Sequence, residues 1–244
     1  MSEILTDRLE NVLLITINRS AKKNAINTDM YIALNAALKS AVDDFGIRAV
    51  ILTGADGIFT AGNDIKDFAQ NIPEDSSAPG FQFIKALHNF PKPLIAAVEG
   101  KAIGIGTTAL LHCDLVYASD SAEFCMPFVS LGLVPEAGSS YLLPMRIGYN
   151  KAADILLTGR TFSAAEALVM GIVNEIAINP LESALNAAKR ISAQPPQAVI
   201  NTKALMKSGT FSQVEAIMEA EGEMFRMALQ TEEAQAAFAK FLGF

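Results

Sequence analysis

The feature that most limits the fold of this sequence is an alternation of short apolar runs with helix-like stretches, joined through glycine turns. Apolar runs rich in β-branched residues, which are typical of buried strands, occupy residues 12–18, 49–53, 93–98 and 115–118. Helical apolar spacing occupies residues 28–44, 65–71 and 81–89. The first of these helices has Thr28 and Asp29 as its N-cap candidates. Strands that alternate with helices predict parallel pairing in an α/β fold, not an all-β or all-α one.

The pattern changes after about residue 145, where helical sequence predominates. A capping box at 163–166 predicts a helix that closes at Gly171, and a short strand is predicted at 172–176. From Leu181 onward the chain is helical, with breaks at Pro195-Pro196 and near Gly209. No low-complexity linker separates the parts. We therefore predict one domain, with a ββα core over 1–190 and a helical, oligomerising region over 191–244.

Composition excludes several classes of protein. Hydrophobic residues make up 51% of the chain and charged residues 18%, which argues against intrinsic disorder. The formal net charge of −7 disfavours general binding to nucleic acid, and two cysteines are too few for a disulfide framework. The acidic N-terminus lacks the basic start of a signal peptide, and the longest uncharged apolar run, 102–113, is too short to cross a bilayer. We expect a cytoplasmic protein with no nucleic-acid or membrane partner.

Two glycine turns, at 59–65 and 102–106, carry the strongest hint of chemistry. Each follows a predicted strand and precedes a helix, so it leaves backbone N–H groups unpaired near one point. Such groups stabilise a developing oxyanion, although an ordinary tight turn explains the same spacing. Neither turn has a P-loop Gly-Lys-Ser/Thr or a Gly-x-Gly-x-x-Gly pattern. The polar stretch 71–80 is predicted to be a loop.

Four segments together resemble the enoyl-CoA hydratase/isomerase (crotonase) superfamily. They are NRSAKKNA at 18–25, FTAGNDI at 59–65, KPLIAAVEGKAIG at 92–104, and LTGR at 157–160 followed by the capping box and GIVN at 171–174. The resemblance covers nearly the whole chain. It implies a crotonase-like spiral of ββα units, a homotrimer or hexamer built through the helical region, and an acyl-CoA thioester substrate. Coenzyme A would be part of that substrate, and no metal or separate cofactor is expected.

The resemblance also implies site residues. The N–H groups of Ala61 and Ile105 would hold the thioester oxygen, and coenzyme A would lie along two segments. Its implied contacts are Lys22, Lys23, Ala25, Gly62, Asn63, Asp64 and Ile65. Lys22 and Lys23 would meet phosphates, although solvated loop lysines are an equal alternative. Asp64 has its own alternative, which is to cap the helix that follows it.

This chain departs from the hydratases of the superfamily at both glutamates that hold their water. Thr108 occupies the first position, three residues after Ile105, and Phe128 occupies the second. Neither side chain serves as a carboxylate base. We expect both to line the pocket, with Phe128 helping to exclude water. Hydration by the usual mechanism is therefore doubtful.

One carboxylate remains in a suggestive place, in the segment VPEAGSSY at 134–141. This segment resembles that of Δ3,Δ2-enoyl-CoA isomerases, in which the glutamate after the proline is the base; here it is Glu136. Its apolar neighbours predict a raised pKa and a proton-shuttling role. The alternative is a helix-start glutamate that interacts with the helix dipole.

The leading interpretation is an isomerase that moves a double bond from the 3- to the 2-position of an enoyl-CoA, with Glu136 as proton shuttle. Two alternatives stay open: an enoyl-CoA hydratase or another crotonase reaction, and a non-catalytic acyl-CoA-binding protein. His88 and His112 are expected to pack within the protein and not to bind metal. Phe238, Lys240 and Phe241 near the C-terminus either pack or contact coenzyme A.

Overall fold

A computed structural model describes residues 2–70 and 75–242. The larger of its two sheets has six strands in the spatial order β1 (Ile4–Leu9), β2 (Val12–Ile17), β3 (Ala49–Gly54), β4 (Leu94–Val98), β6 (Leu115–Ala118) and β9 (Glu175–Ile176). The smaller sheet has the order β5 (Lys101–Ile103), β7 (Glu123–Cys125) and β8 (Thr161–Ser163). The larger sheet is parallel except for the β1–β2 pair, and the smaller one pairs β5 with β7 in parallel and β7 with β8 antiparallel.

Helices connect the strands and fill the C-terminal part. They are α1 (Thr28–Asp43), α2 (Ile65–Gln70), α3 (Pro79–Asn89), α4 (Ile105–Thr108), α5 (Ser139–Ile147), α6 (Tyr149–Thr158), α7 (Ala164–Val169), α8 (Pro180–Ser192), α9 (Pro196–Ser208), α10 (Phe211–Leu229) and α11 (Glu232–Leu242). Short 3₁₀ turns cover Ser20–Lys22, Ala109–His112 and Val129–Leu131. No helix in the described part of the chain is long and apolar enough to cross a membrane.

The central strands are buried on both faces, which is why they read as continuous apolar runs. On one face α1 and α3 contribute to the main core, which includes Leu38 and Leu87. On the other face the small residues Ala184, Ala187 and Ala188 let α8 lie close to β3 and β4. Strands β2, β3, β4 and β6 are parallel and in register, so their carboxyl ends lie at the same end of the sheet. The two glycine turns follow β3 and β4 a few residues later in the chain.

The four central strands and the main helices agree with the sequence prediction, but several details were wrong. The N-cap of α1 is Asn27, whose side chain accepts a hydrogen bond from the N–H of Met30, and not Thr28 or Asp29. Strands β1, β5, β7 and β8 went unpredicted because β1 is largely exposed and the other three span only three residues each. The predicted strand 172–176 shortens to β9.

The C-terminal helices break where the prolines and Gly209 predict, and again at residues 230–231. The capping box at Ser163 and Glu166 is present in both of its hydrogen bonds. The predicted boundary between residues 190 and 191 falls within α8, and the division into core and oligomerising region stays a prediction. Of the predicted loop 71–80, residues 71–74 lie outside the described part of the chain, while α3 already begins at Pro79.

Candidate active site

The two glycine turns lie against each other at the edge of the sheet. Thr60 donates its N–H to the Lys101 carbonyl at 2.8 Å and accepts the N–H of Ile103 at 3.0 Å. A Cβ atom on Gly62 would lie 2.7 Å from the Ile103 carbonyl oxygen, closer than real Cβ atoms come. Glycine is therefore required at this position for the two turns to touch.

The loop at residues 22–26 runs beside the first turn. The Ile26 N–H donates to the Gly62 carbonyl, and the Asp64 N–H donates to the Ile26 carbonyl, both at 2.8 Å. The structure thus brings together the two segments, 22–25 and 61–65, that the resemblance assigned to coenzyme A. The same contact corrects one assignment. The Ala61 N–H donates to the Lys23 carbonyl at 3.0 Å, so Ala61 was the wrong choice of a free oxyanion donor.

Several other N–H groups in the two turns have no acceptor among the described protein atoms. Within the residues that the structure describes, the N–H groups of Asn63 and Ile105 donate to no protein atom. Asn63 lies between the two residues that pair with Ile26, and Ile105 is the first residue of α4. The N–H groups of Ile65 and Gly106 have no acceptor in that part of the chain either, and of these four residues Asn63 is the one that lines a cavity with Glu136.

Tyr31, on the buried face of α1, reaches this turn. Its hydroxyl donates to the side-chain oxygen of Asn63. Burial, together with the nearby charge of Glu136, raises the pKa of Tyr31 well above its ordinary value. This phenol therefore stays protonated and acts as a hydrogen-bond donor that fixes the Asn63 side chain.

Glu136 is buried, with 6% of its surface exposed. Desolvation raises its pKa from 4.5 to about 8, the hydroxyl of Thr108 opposes that rise by donating to Glu136 Oε1, and the charge of Glu221 adds to it. Such a carboxyl exchanges a proton readily near neutral pH. Thr108, at one of the altered hydratase positions, is thus a direct partner of the candidate base.

Glu136 does not cap the helix that follows it. Helix α5 begins at Ser139, and the N–H groups of Gly138 and Ser140 donate to the carboxylate of Glu221 at 2.6 and 2.9 Å. Glu221 lies on α10, 81 to 83 residues along the chain. A distant carboxylate therefore satisfies the N-terminus of α5, and Glu136 is left to face Thr108 and the cavities.

Glu136 lines two adjoining cavities, with volumes of about 60 and 260 Å³. The first also contains Asn63, Tyr31 and Asp67, and its remaining wall is mostly apolar. The two cavities share only three lining residues, Phe81, Ile84 and Glu136. Glu136 therefore lies at the junction between a cavity that Asn63 also lines and a second cavity.

Asp64 has the opposite electrostatic setting. It precedes α2, and its Oδ1 accepts the N–H groups of Lys66 and Asp67 at 3.1 and 3.4 Å, which agrees with the capping alternative. Its Oδ2 binds Arg19 Nη1 at 2.6 Å. Partial burial alone would raise the pKa of Asp64, but the Arg19 hydrogen bond and charge and the backbone donors hold it below its ordinary value.

The remaining predicted site residues lie either at the surface or against the core. Lys22 and Lys23 are exposed, the Ala25 carbonyl accepts a hydrogen bond from Arg19, and Ile65 begins α2 and packs against the core. Phe128 is buried in the core and is not among the residues that line the two cavities containing Glu136, so its place in the pocket wall stays a prediction.

The aromatic and histidine candidates pack inside the protein. Phe238 is buried and meets the ring edge of Phe68, which lines the first cavity, whereas Phe241 is exposed. His88 and His112 are both buried, with ring centroids 5.8 Å apart.

Sequence reasoning missed Tyr31, Glu221 and the Thr108–Glu136 contact. In the sequence, Tyr31 is only one of the apolar positions of the helix predicted over residues 28–44. Glu221 had no local signal at all, because its partners lie on α5 and in the turn before it. The spacing of three residues from Ile105 identified Thr108 as a site residue. It did not show that the Thr108 hydroxyl donates a hydrogen bond to Glu136.

Comparisons with known proteins identify the family of this chain. The family model of "Enoyl-CoA hydratase/isomerase" matches residues 7–243. The chain is 31% identical to the 2,3-dehydroadipyl-CoA hydratase of Escherichia coli, covering 99% of this chain and 96% of that protein. It is 37% identical to enoyl-CoA delta isomerase 2 of Rattus norvegicus over 93% of this chain, but spans only 60% of that longer protein.

A solved structure, that of Pseudomonas aeruginosa OdaA, matches over the full length of both chains with a TM-score of 0.97 and 41% identity. The predicted crotonase fold is confirmed, and both isomerases and hydratases are among the relatives. The chain belongs to the enoyl-CoA hydratase/isomerase family and is an isomerase or hydratase-like enzyme that acts on an acyl-CoA thioester.

Proposed function

We propose that this enzyme moves the double bond of a 3-enoyl-CoA to the 2-position, with Glu136 as the proton-transferring base. The observation that carries the proposal is one buried carboxyl, with a pKa of about 8, that lines the same cavity as Asn63, a residue whose N–H has no acceptor among the described residues. Thr108 and Phe128 stand where the hydratase glutamates would be, so a water molecule there would lack its two carboxylate partners.

The thioester oxygen is held by the N–H groups of Asn63 and Ile105. As C2 loses its proton, negative charge gathers on that oxygen and the two hydrogen bonds strengthen. One donor of this kind contributes roughly 2.7–4 kcal/mol to the transition state. The contact between Tyr31 and the Asn63 side chain keeps this turn in place.

Glu136 carries out both proton steps. Its carboxylate takes the proton from C2, and the electron pair of that C–H bond forms the enolate. The double bond then shifts to C2–C3 as C4 takes the proton back from the carboxyl group. No proton or electron is left over, so the reaction needs no cofactor beyond the coenzyme A of the substrate.

The proposal extends to binding and assembly. Lys22 and Lys23, which are exposed, would bind the phosphates of coenzyme A. A homotrimer or hexamer built through the helical region would cover apolar side chains that α9 exposes, Leu205 at 75% and Met206 at 76%. A cytoplasmic location stays a prediction.

The test is the Glu136→Gln variant, assayed on a 3-enoyl-CoA by the absorbance of the conjugated product. Because a glutamine amide has no basic form that could take the C2 proton, we expect kcat to fall by about 10³-fold or more, at the upper part of the range for general acid–base catalysis. Glu232→Gln, the same change at an exposed residue of α11, is the control and keeps the wild-type rate. Wild-type kcat in Glu136→Gln would remove Glu136 from the mechanism.

The hydratase alternative is tested in the same preparation, because a relative of nearly equal length is named a hydratase. The wild-type enzyme is given a 2-enoyl-CoA, and the loss of conjugated absorbance is followed. We expect double-bond movement to exceed hydration by far. A faster gain of water than double-bond movement would favour the hydratase.

A further inference from the structure

We propose that His112 and Glu221 are positioning residues that hold one peptide group, between Ala137 and Gly138, and thereby aim the Glu136 carboxyl. This inference rests on the proposed role of Glu136. This peptide group begins at the residue next to Glu136 in the chain. It is gripped at both ends, since its carbonyl binds His112 and its N–H binds Glu221.

The backbone at Ala137 and Gly138 has an unfavourable conformation that its surroundings must stabilise. Ala137 has a φ of +61° and Gly138 a φ of +69°, so two consecutive residues are left-handed. Alanine rarely adopts that conformation, because its Cβ crowds the backbone. A strained conformation persists only where the surroundings impose it, and it often does so beside a functional group. Here the strained residue is adjacent to the proposed base.

His112 supplies the grip on the carbonyl. Its Nε2 lies 2.7 Å from the Ala137 oxygen, and a carbonyl only accepts, so Nε2 carries the hydrogen. Burial lowers the pKa of His112 to about 3, which keeps the ring neutral at physiological pH. The ring therefore acts as a fixed neutral donor and not as a proton carrier.

Glu221 supplies the grip on the N–H side. Its carboxylate accepts the N–H of Gly138 at 2.6 Å and that of Ser140 at 2.9 Å. A Cβ on Gly138 would lie 3.0 Å from Val214 Cγ1 on α10, so the glycine allows this close approach. The C-terminal helix α10 thus sets the position of a turn more than 70 residues earlier in the chain.

Glu221 also acts on Glu136 through its charge. In its ionised form Glu221 disfavours ionisation of Glu136, in the direction opposite to the Thr108 hydroxyl. Burial raises the pKa of Glu221 itself, and its hydrogen bonds with Ser140 and Gly138 oppose that rise. The other titratable groups that share a cavity wall with Glu136 or influence it electrostatically are Tyr31, Asp67, Lys85, His88, Glu215, Glu219, Glu223 and Arg226. Among these groups Glu221 is distinguished by holding the backbone beside Glu136.

The first test needs no turnover. The pKa of Glu136 is followed by NMR of carboxyl-labelled glutamate in the wild type, Glu221→Gln and Glu232→Gln, with Glu136→Gln used to assign the signal. We expect a lower Glu136 pKa in Glu221→Gln and no change in Glu232→Gln. An unchanged pKa in a folded Glu221→Gln protein would overturn the role of Glu221. Because no substrate is present, this result is independent of the proposed reaction.

The second test concerns His112. His112→Phe keeps a planar ring of similar size but loses the donor, and we expect kcat to fall about ten- to hundredfold with little change in KM, since small misplacements have such effects. His112→Gln can place an amide N–H at the same carbonyl and should recover most of the loss. A folded His112→Phe enzyme with wild-type kcat would overturn the role of His112. A wild-type enzyme with no isomerase activity would instead count against the proposed function.

Discussion

Two turns of this molecule each place a carboxylate shortly before a helix, and the two carboxylates behave in opposite ways. Asp64 ends the turn 59–65, caps its own helix and is paired with Arg19. Glu136 lies in the turn 134–140, leaves its helix to be capped by Glu221 and meets only a hydroxyl. The pKa of Asp64 is lowered, and that of Glu136 is raised to about 8.

The difference shows how a fold selects one acid of several for proton transfer. A cation and helix N–H groups commit Asp64 to its ionised form, in which it is a poor base. Glu136 is buried and forms no ion pair with a described residue, which leaves it near the point where both protonation states are accessible. The choice is made by the partners that the tertiary structure provides, because both residues are ordinary acids in the sequence.

The largest expected effect is on the pH dependence of stability in Glu136→Gln. The folded-state pKa of Glu136 is raised from 4.5 to about 8, so its favourable contribution is present below pH 4.5 and is lost as pH rises toward 8. Glutamine does not titrate. The variant should therefore gain stability relative to wild type by on the order of 2–4 kcal/mol between about pH 5 and pH 8.

Urea unfolding of both proteins at the two pH values measures this gain. Glu232→Gln, at an exposed site, should show no such change with pH. Parallel stability curves for wild type and Glu136→Gln would mean that Glu136 has an ordinary pKa.

Removing the Arg19 side chain should destabilise the turn that contains Asp64. Arg19→Met leaves Asp64 without its cation at a site where both side chains of the pair are less than one-fifth exposed. We expect the free energy of unfolding at neutral pH to fall by about 1–3 kcal/mol. The lowered pKa of Asp64 contributes stability above its ordinary value of 3.8, and that contribution is lost in acid, so wild type and variant should converge there.

The matched control is Arg8→Met. Its ion pair with Asp44 is more than one-third exposed on both sides, so the loss should be about 0.5 kcal/mol or less. Equal losses in the two variants would show that Arg19 and Asp64 form only a surface pair.

Thr108→Val should sharpen the contrast at Glu136. The hydroxyl opposes the rise of the Glu136 pKa, so its removal raises that pKa further. Activity requires the ionised base, and the rising limb of the kcat/KM profile should move upward by about one pH unit. Thr108→Ser should keep the wild-type profile. A limb that moves down in Thr108→Val would contradict the assigned direction.

The smallest effect is expected at the exposed lysines beside the first turn. Lys22→Ala and Lys23→Ala remove charges that reach into water, and KM for an acyl-CoA should rise about two- to threefold at low ionic strength. Added salt should erase the difference, because exposed charges are screened. A salt-independent effect would indicate a direct structural role.

Prediction from the sequence succeeded where information is local. The apolar run at Ala49–Gly54 predicts a buried strand, and Ser163 with Glu166 predicts a capped helix, since both depend on neighbouring residues. It failed at Ala61, because the carbonyl that takes its N–H comes from Lys23 in another segment. The short strands β5, β7 and β8 were also missed, because three residues carry no usable periodicity.

The sequence by itself determined the α/β alternation, the family and the identity of Glu136 as the candidate base, because motif order and residue type are local properties. Only the tertiary structure decided which N–H groups stay free and which partners surround each acid. Hydrogen bonds and desolvation depend on atoms brought together from distant parts of the chain. The contacts of Glu221 with Gly138 and of Arg19 with Asp64 are two examples. In these surroundings the pKa of Asp64 is lowered and that of Glu136 is raised.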